Sequence, residues 1–265
     1  MDRPLRRVIA FSCAGETLVG SLDEAAGTTG VLIVAGGNEV RAGAHRGMAA
    51  LAQMLAAQGI PAFRFDRRGV GDSGGDNTGW EGSAPDLAAA VDAFREAQPH
   101  VVRIVGFGNC DGATALALFG VDAGIDALVL GNPWIGDDSP LPPPTAIRAR
   151  YLGRLLDPKA WRRLLTGGLW SGKLWRGLAQ AASIGTKPPL AEQAGRAIAT
   201  IPTTVVLAEG DRTAQQFGAA LPSVAVTTIR SGSHSFADAG DAVCDAIVAS
   251  CRAVTGVNPV TSTLG

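Results

Sequence analysis

The sequence predicts an α/β protein: a mostly parallel, eight-stranded sheet flanked by helices and interrupted once by an insertion. Three observations predict it. Short apolar, β-branched runs alternate with longer helical patterns, as successive βα units do. The helical stretches keep one apolar face. The alternation lapses only between residues 133 and 200.

In chain order the expected strands are Val8–Cys13, Thr17–Leu22, Val31–Ala35, Ala62–Asp66, Arg103–Gly106, Ala127–Gly131, Thr203–Ala208 and Val224–Ile229. Arg46–Gln58 sets Met48, Leu51, Met54 and Leu55 along one side of a helix, and Asp86–Gln98 and Ala237–Ala253 show similar spacing. Residues 1–133 and 200–256 are therefore expected to form one core, residues 134–199 the insertion, and residues 257–265 a flexible tail. The insertion holds Trp134, Trp161, Trp170 and Trp175, four of the five tryptophans. Between Thr145 and Leu190 nine Lys/Arg face one acid, Asp157, so this stretch carries +8 and the rest of the chain −9.

The chain has 265 residues, 46% hydrophobic and 18% charged, a globular profile. A net charge of −1 argues against nucleic acid as a partner. Cys13, Cys110, Cys244 and Cys251 form no C-x-x-C pair, so no zinc knuckle or dithiol redox site is offered. The apolar stretch near the N-terminus, Val8 to Phe11, is too short for a signal sequence, and no window has about 18 consecutive apolar residues. A cytoplasmic protein is expected. With no dinucleotide loop, no phosphate loop and only three scattered histidines, no cofactor or metal is expected either.

Two segments carry a glycine-flanked nucleophile pattern. Gly71-Asp72-Ser73-Gly74-Gly75 has no helix-forming run after it and reads as an open loop. Gly108-Asn109-Cys110-Asp111-Gly112 follows the apolar run VVRIVGF and precedes ATALALFG, the strand, sharp turn and helix that a nucleophile elbow requires. Such a turn thrusts the central side chain into the open, and the helix N-terminus is expected to favour a thiolate. A small buried hydrophobe at a helix start is the other reading of Cys110. A cysteine nucleophile needs a base and a group to orient it. His234, between a late strand and the last helix, is the natural base, and Asp211, at the end of TTVVLAEGD, the natural acid, with Glu209 as the alternative.

The order Cys110, Asp211, His234, each just after a strand, is that of α/β-hydrolases, and the chain resembles that superfamily over nearly its whole length. Ala35-Gly36-Gly37-Asn38 resembles its oxyanion loop, and Asp66-Arg67-Arg68-Gly69-Val70-Gly71-Asp72-Ser73-Gly74 its D-x-R-G-x-G-x-S loop, which removes Ser73 as a nucleophile. GGNEVRAGAHR, GNCDG and LAEGDRTA are similar to the hydrolases associated with exosortase A systems, and the Cys-His-Asp set to dienelactone hydrolases. The resemblance implies an α/β-hydrolase fold with a helical lid at 134–199, and hydrolysis of an acyl ester or thioester through Cys110, His234 and Asp211. Backbone N–H groups of Asp111 and of Gly37 or Asn38 would hold the oxyanion.

Four further expectations accompany this reading. Glu39 and Arg41 pair with the resting thiol. Trp134, Trp161 and Trp170 line the substrate site. The basic insertion attracts an anionic acyl carrier or an anionic membrane surface. The alternatives are an acyltransferase or a non-catalytic binding protein of an export system.

Overall fold

The structure is a computed structural model, which describes residues 5–136 and 189–256. Eight strands form one sheet in the order β1 (Arg6–Cys13), β2 (Glu16–Asp23), β4 (Ala62–Phe65), β3 (Thr29–Val34), β5 (Arg103–Asn109), β6 (Ala127–Gly131), β7 (Thr203–Ala208) and β8 (Val226–Ile229). β1 and β2 pair antiparallel, as do β2 and β4; every later pair is parallel. The β1–β2 hairpin turns on Ala14 and Gly15, both at positive φ (51° and 87°). That pairing of left-handed residues matches the right-handed twist of the flanking strands.

Alternation along the central strands divides the core. Val31, Ile33, Val105, Phe107, Val129 and Val206 pack with α1 (Gly47–Ala57) and α6 (Gly240–Val254). Leu32, Val34, Ile104, Leu128, Leu130 and Val205 pack on the other face with α2 (Ala84–Ala97) and α3 (Asp111–Phe119). Strands covered on both faces read as continuous apolar runs, which made β3, β6 and β7 legible.

The differences from expectation lie at element ends and at two helices. β5 continues past Gly106 to Asn109, so the strand runs directly into the following turn. α1 starts at Gly47 because His45 and Arg46 are held at positive φ (51° and 61°). α6 starts at Gly240, since Phe236 at φ 55° closes a turn on Ser233. α4 (Leu190–Ile198) lies within the stretch expected to be a helical insertion, whereas α5 (Arg212–Ala220) is absent from the sequence expectation. Ala194 alone is fully buried in α4, and only Ala214 and Phe217 in α5. Each has only nine residues, so the apolar spacing that marks a helix in sequence recurs over little more than two turns. α4 belongs to the sheet-bearing unit, which resumes at Leu190 rather than at residue 200. Residues 137–188 of the expected insertion, with Trp161, Trp170 and every basic residue counted above, lie outside the described residues, as does the tail 257–265. Among the described residues no helix is long and apolar enough to cross a membrane.

Candidate active site

β5 delivers Cys110 to the crest of a turn at φ 56° and ψ −127°, a backbone state costly for any residue with a Cβ. Its surroundings explain the glycines. A Cβ on Gly108 would lie 2.7 Å from the backbone N of Ala113, one on Gly112 would lie 2.6 Å from the Val34 carbonyl, and one on Gly36 would lie 2.5 Å from the Asn109 carbonyl. The chain closes on itself here, and only glycine permits it. Hydrogen bonds then fix the bend: Cys110 N–H donates to Gly131 O at 3.0 Å, and Cys110 C=O accepts from Trp134 N–H at 3.2 Å.

β7 and β8 lead into the loops that carry Asp211 and His234, which pair with each other; among the described residues no hydrogen bond joins Cys110 Sγ to His234. Asp211 caps α5, its Oδ1 accepting the Ala214 N–H at 2.9 Å, which leaves Oδ2 to meet His234 Nδ1 at 2.9 Å. One carboxylate thus caps a helix and orients an imidazole, and the Asp211 side chain is only 10% exposed. Glu209, the competing acid, is exposed and is not paired with His234. The His234 backbone is anchored by Asn132. Buried completely and held at φ 40°, Asn132 donates from Nδ2 to His234 O at 2.9 Å and accepts the Ala208 N–H at 2.8 Å through Oδ1. It ties the ends of β6 and β7 to the histidine loop. Its only trace in the sequence is a polar residue after an apolar strand.

Burial pushes the pKa of the Cys110 thiol up to about 11; the Asp111 backbone N–H opposes this, and the carboxylates of Asp111, Asp211 and Glu39 add to it. The helix N-terminus was expected to favour the anion, but desolvation and three negative charges outweigh a partial positive charge. Because a raised acid pKa keeps the proton on, iodoacetamide alkylation of the Cys110 peptide is expected to accelerate about tenfold per pH unit from 7 to 10. A rate already level below pH 8 would show a preformed thiolate–imidazolium pair instead.

The loop after β3 departs from expectation in two respects. Arg41 does not face the thiol: its guanidinium and backbone N–H both engage the buried Asp66, with a second ion pair to Asp72 at 2.8 Å. Glu39 accepts the Ala44 N–H at 3.1 Å, so its side chain braces its own loop, and only its charge reaches Cys110. The Gly37 N–H, a candidate oxyanion donor, is taken by Asp111 Oδ1 at 2.5 Å. Among the described residues the Asn38 N–H meets no acceptor. Ser73 donates to Asp66 O at 2.7 Å and accepts the Val19 N–H at 2.9 Å, a structural role consistent with its exclusion as nucleophile.

Trp134, whose N–H holds Cys110, stands 6.1 Å ring to ring from Trp80, and both are partly exposed. Trp80 went unnoticed in the sequence because it lies in a glycine-rich loop with no periodicity. Beyond Trp134, the aromatic residues expected to line the site fall outside the described residues.

The profile of the alpha/beta hydrolase family matches residues 31–246. No curated protein matches the chain. Among solved structures, the alpha/beta hydrolase GrgF from Penicillium is similar at a TM-score of 0.67 and 17% identity, covering 95% of this chain and 99% of that one. An esterase from Pyrococcus furiosus is similar at 0.63 and 18%, with 94% and 91% covered. The thioesterase domain of the curacin biosynthetic pathway is similar at 0.56 and 15%, with 92% and 99% covered. At such identities the likeness establishes the fold. The profile match, spanning the sheet from β3 into the first half of α6, establishes more: the chain belongs to the alpha/beta hydrolase family.

Proposed function

We propose that the protein hydrolyses carboxylic ester or thioester bonds through an acyl-enzyme on Cys110. The observation that carries this reading is the strained Cys110 backbone, φ 56° and ψ −127°, held by glycines whose replacement the surrounding backbone forbids. Strain of this kind at a half-buried nucleophilic side chain is retained where chemistry uses it.

The Cys110 sulfur attacks the carbonyl carbon as its proton passes to His234 Nε2, so the thiol is activated only in the reacting complex. Asp211 keeps the Nδ1 proton in place and stabilises the imidazolium. The developing oxyanion is received by the Asp111 N–H and the Asn38 N–H, donors worth about 3–4 kcal/mol each in other enzymes. Collapse breaks the bond to the leaving group, which takes the proton from His234. Water, deprotonated by His234, then releases the acid and restores the thiol.

The esterase and thioesterase structures named above support the substrate class, and the resemblance to exosortase-associated hydrolases supports a role beside an export system. Steady-state assays on matched ester and thioester panels test the reading. Turnover is expected in the natural protein, with only background in Cys110→Ala and His234→Ala. Equal, background turnover in all three proteins would favour a binding module.

Trp134, whose backbone is bonded to that of Cys110, and its ring neighbour Trp80 are the described aromatic groups proposed to offer an apolar wall to the acyl group. Trp134→Ala is expected to raise KM about tenfold for benzoyl esters and by less than twofold for acetyl esters, since burying an aromatic group against a ring contributes about 1–2 kcal/mol. Equal effects on both substrates would show that the indole serves the elbow alone.

A further inference from the structure

The residue that follows the nucleophile is an aspartate, and its carboxylate stands beside the group that must become negative. Asp111 raises the cost of a thiolate at Cys110, and it would equally oppose a tetrahedral oxyanion. An acid in that place needs a reason, and its partners supply one.

Asp111 Oδ1 accepts the Gly37 N–H at 2.5 Å. Arg67 Nη2 donates to Gly37 O and lies 3.3 Å from the same Asp111 oxygen. Both polar groups of Gly37 are therefore held by one ion pair, the N–H by the carboxylate and the C=O by the guanidinium. Gly37 itself has φ 57° with nothing within 4 Å of a Cβ, so packing does not fix this peptide; the pair does. The next amide along is Asn38 N–H, the oxyanion donor.

Arg67 is 6% exposed, and its Nη1 donates to Ser83 Oγ at 3.2 Å. Ser83 in turn donates to Gly79 O at 3.0 Å. The guanidinium is thus aimed at Asp111 and Gly37 from a fixed seat and has no freedom to follow a substrate. Arg68, the next residue, is engaged separately with Asp86. Arg41 and Arg64, the other described arginines of this region, are committed to Asp66, Asp72 and Asp23.

We propose that Arg67 and Asp111 form a positioning latch for the oxyanion pocket: the carboxylate and guanidinium together clamp the Gly37 peptide so that Asn38 N–H faces the carbonyl, and Arg67 cancels the charge that Asp111 brings beside the reacting sulfur. This inference rests on the acyl-enzyme reading, but it makes an electrostatic claim that can be measured without turnover. Removing Arg67 leaves Asp111 bare and hostile to both anions. Removing the Asp111 charge as well relieves the penalty, because the asparagine oxygen still accepts the Gly37 N–H.

The test is a double-mutant cycle of Arg67→Met and Asp111→Asn, read by kcat, by KM and by the iodoacetamide rate of the Cys110 peptide at pH 8. Arg67→Met is expected to lower kcat about a hundredfold with KM changed less than threefold, and to slow alkylation severalfold. Asp111→Asn alone is expected to speed alkylation about tenfold. The double variant is expected to recover at least tenfold in kcat over Arg67→Met and to be alkylated faster than the natural protein.

Alkylation rates that do not differ among the four proteins, or a double variant no better than Arg67→Met, would overturn the latch. The isosteric Asp111→Asn change keeps the alkylation reading valid if Arg67→Met folds poorly. If no protein of the set turns over ester or thioester, the acyl-enzyme reading fails, while the alkylation rates still decide the electrostatic claim.

Discussion

Asp211→Asn is expected to lower kcat by about three to four orders of magnitude while leaving the melting temperature within a few degrees of the natural protein. The two oxygens of Asp211 serve different ends, Oδ1 on the Ala214 N–H and Oδ2 on His234 Nδ1. Asparagine keeps a capping oxygen, so α5 holds. At the other position it presents an N–H₂ group, which the imidazole can satisfy only by moving its own proton to Nε2, where it can no longer accept the proton of Cys110. Asp211→Ala removes both functions and should lose a further ~1 kcal/mol of stability with the cap. Comparing kcat and thermal midpoints of the two variants separates the roles. A wild-type kcat in Asp211→Asn would remove Asp211 from the proposed catalytic set and favour Glu209 as the acid.

The second large effect lies in the elbow. Gly112→Ala places a methyl group 2.6 Å from Val34 O and 2.8 Å from Ala35 O, both backbone atoms at the end of β3. Backbone cannot swing aside as a side chain can, so α3 and the oxyanion loop must separate. A loss of about 3 kcal/mol or more is expected, with activity abolished even in the fraction that folds. Gly47→Ala is the control: Gly47 opens α1, has nothing within 4 Å of a Cβ, and should gain up to about 1 kcal/mol. Chemical denaturation of both variants checks the pair. Equal midpoints would mean that the elbow is looser than its geometry requires.

The contrast between these glycines shows what was legible in sequence. The central strands announce themselves because both faces of the sheet are covered, and the G-x-C-x-G spacing announces the elbow because each glycine answers to a close backbone approach. That Cys110, Asp211 and His234 each follow the carboxyl end of a parallel strand is legible too, because the βα alternation sets the strand directions.

What sequence could not show is how side chains are spent. Arg41 looked free to meet a thiol and is instead consumed by Asp66. Arg67 looked like one more loop arginine and lies buried against Gly37 and Asp111. Asn132 gave no signal, because its role depends on two strand ends and a loop that meet only in the folded sheet. The ionisation of Cys110 was misjudged from the helix terminus, since burial and neighbouring carboxylates arise from tertiary structure.

The claim that Cys110 is the nucleophile is most directly tested by intact-mass spectrometry of protein quenched during turnover of an acyl thioester. The account predicts a mass gain equal to the acyl group less the displaced thiol proton, mapped to the peptide bearing Cys110 and absent from Cys110→Ala. Sustained turnover by Cys110→Ala at the natural rate, or an adduct on any other residue, would contradict it.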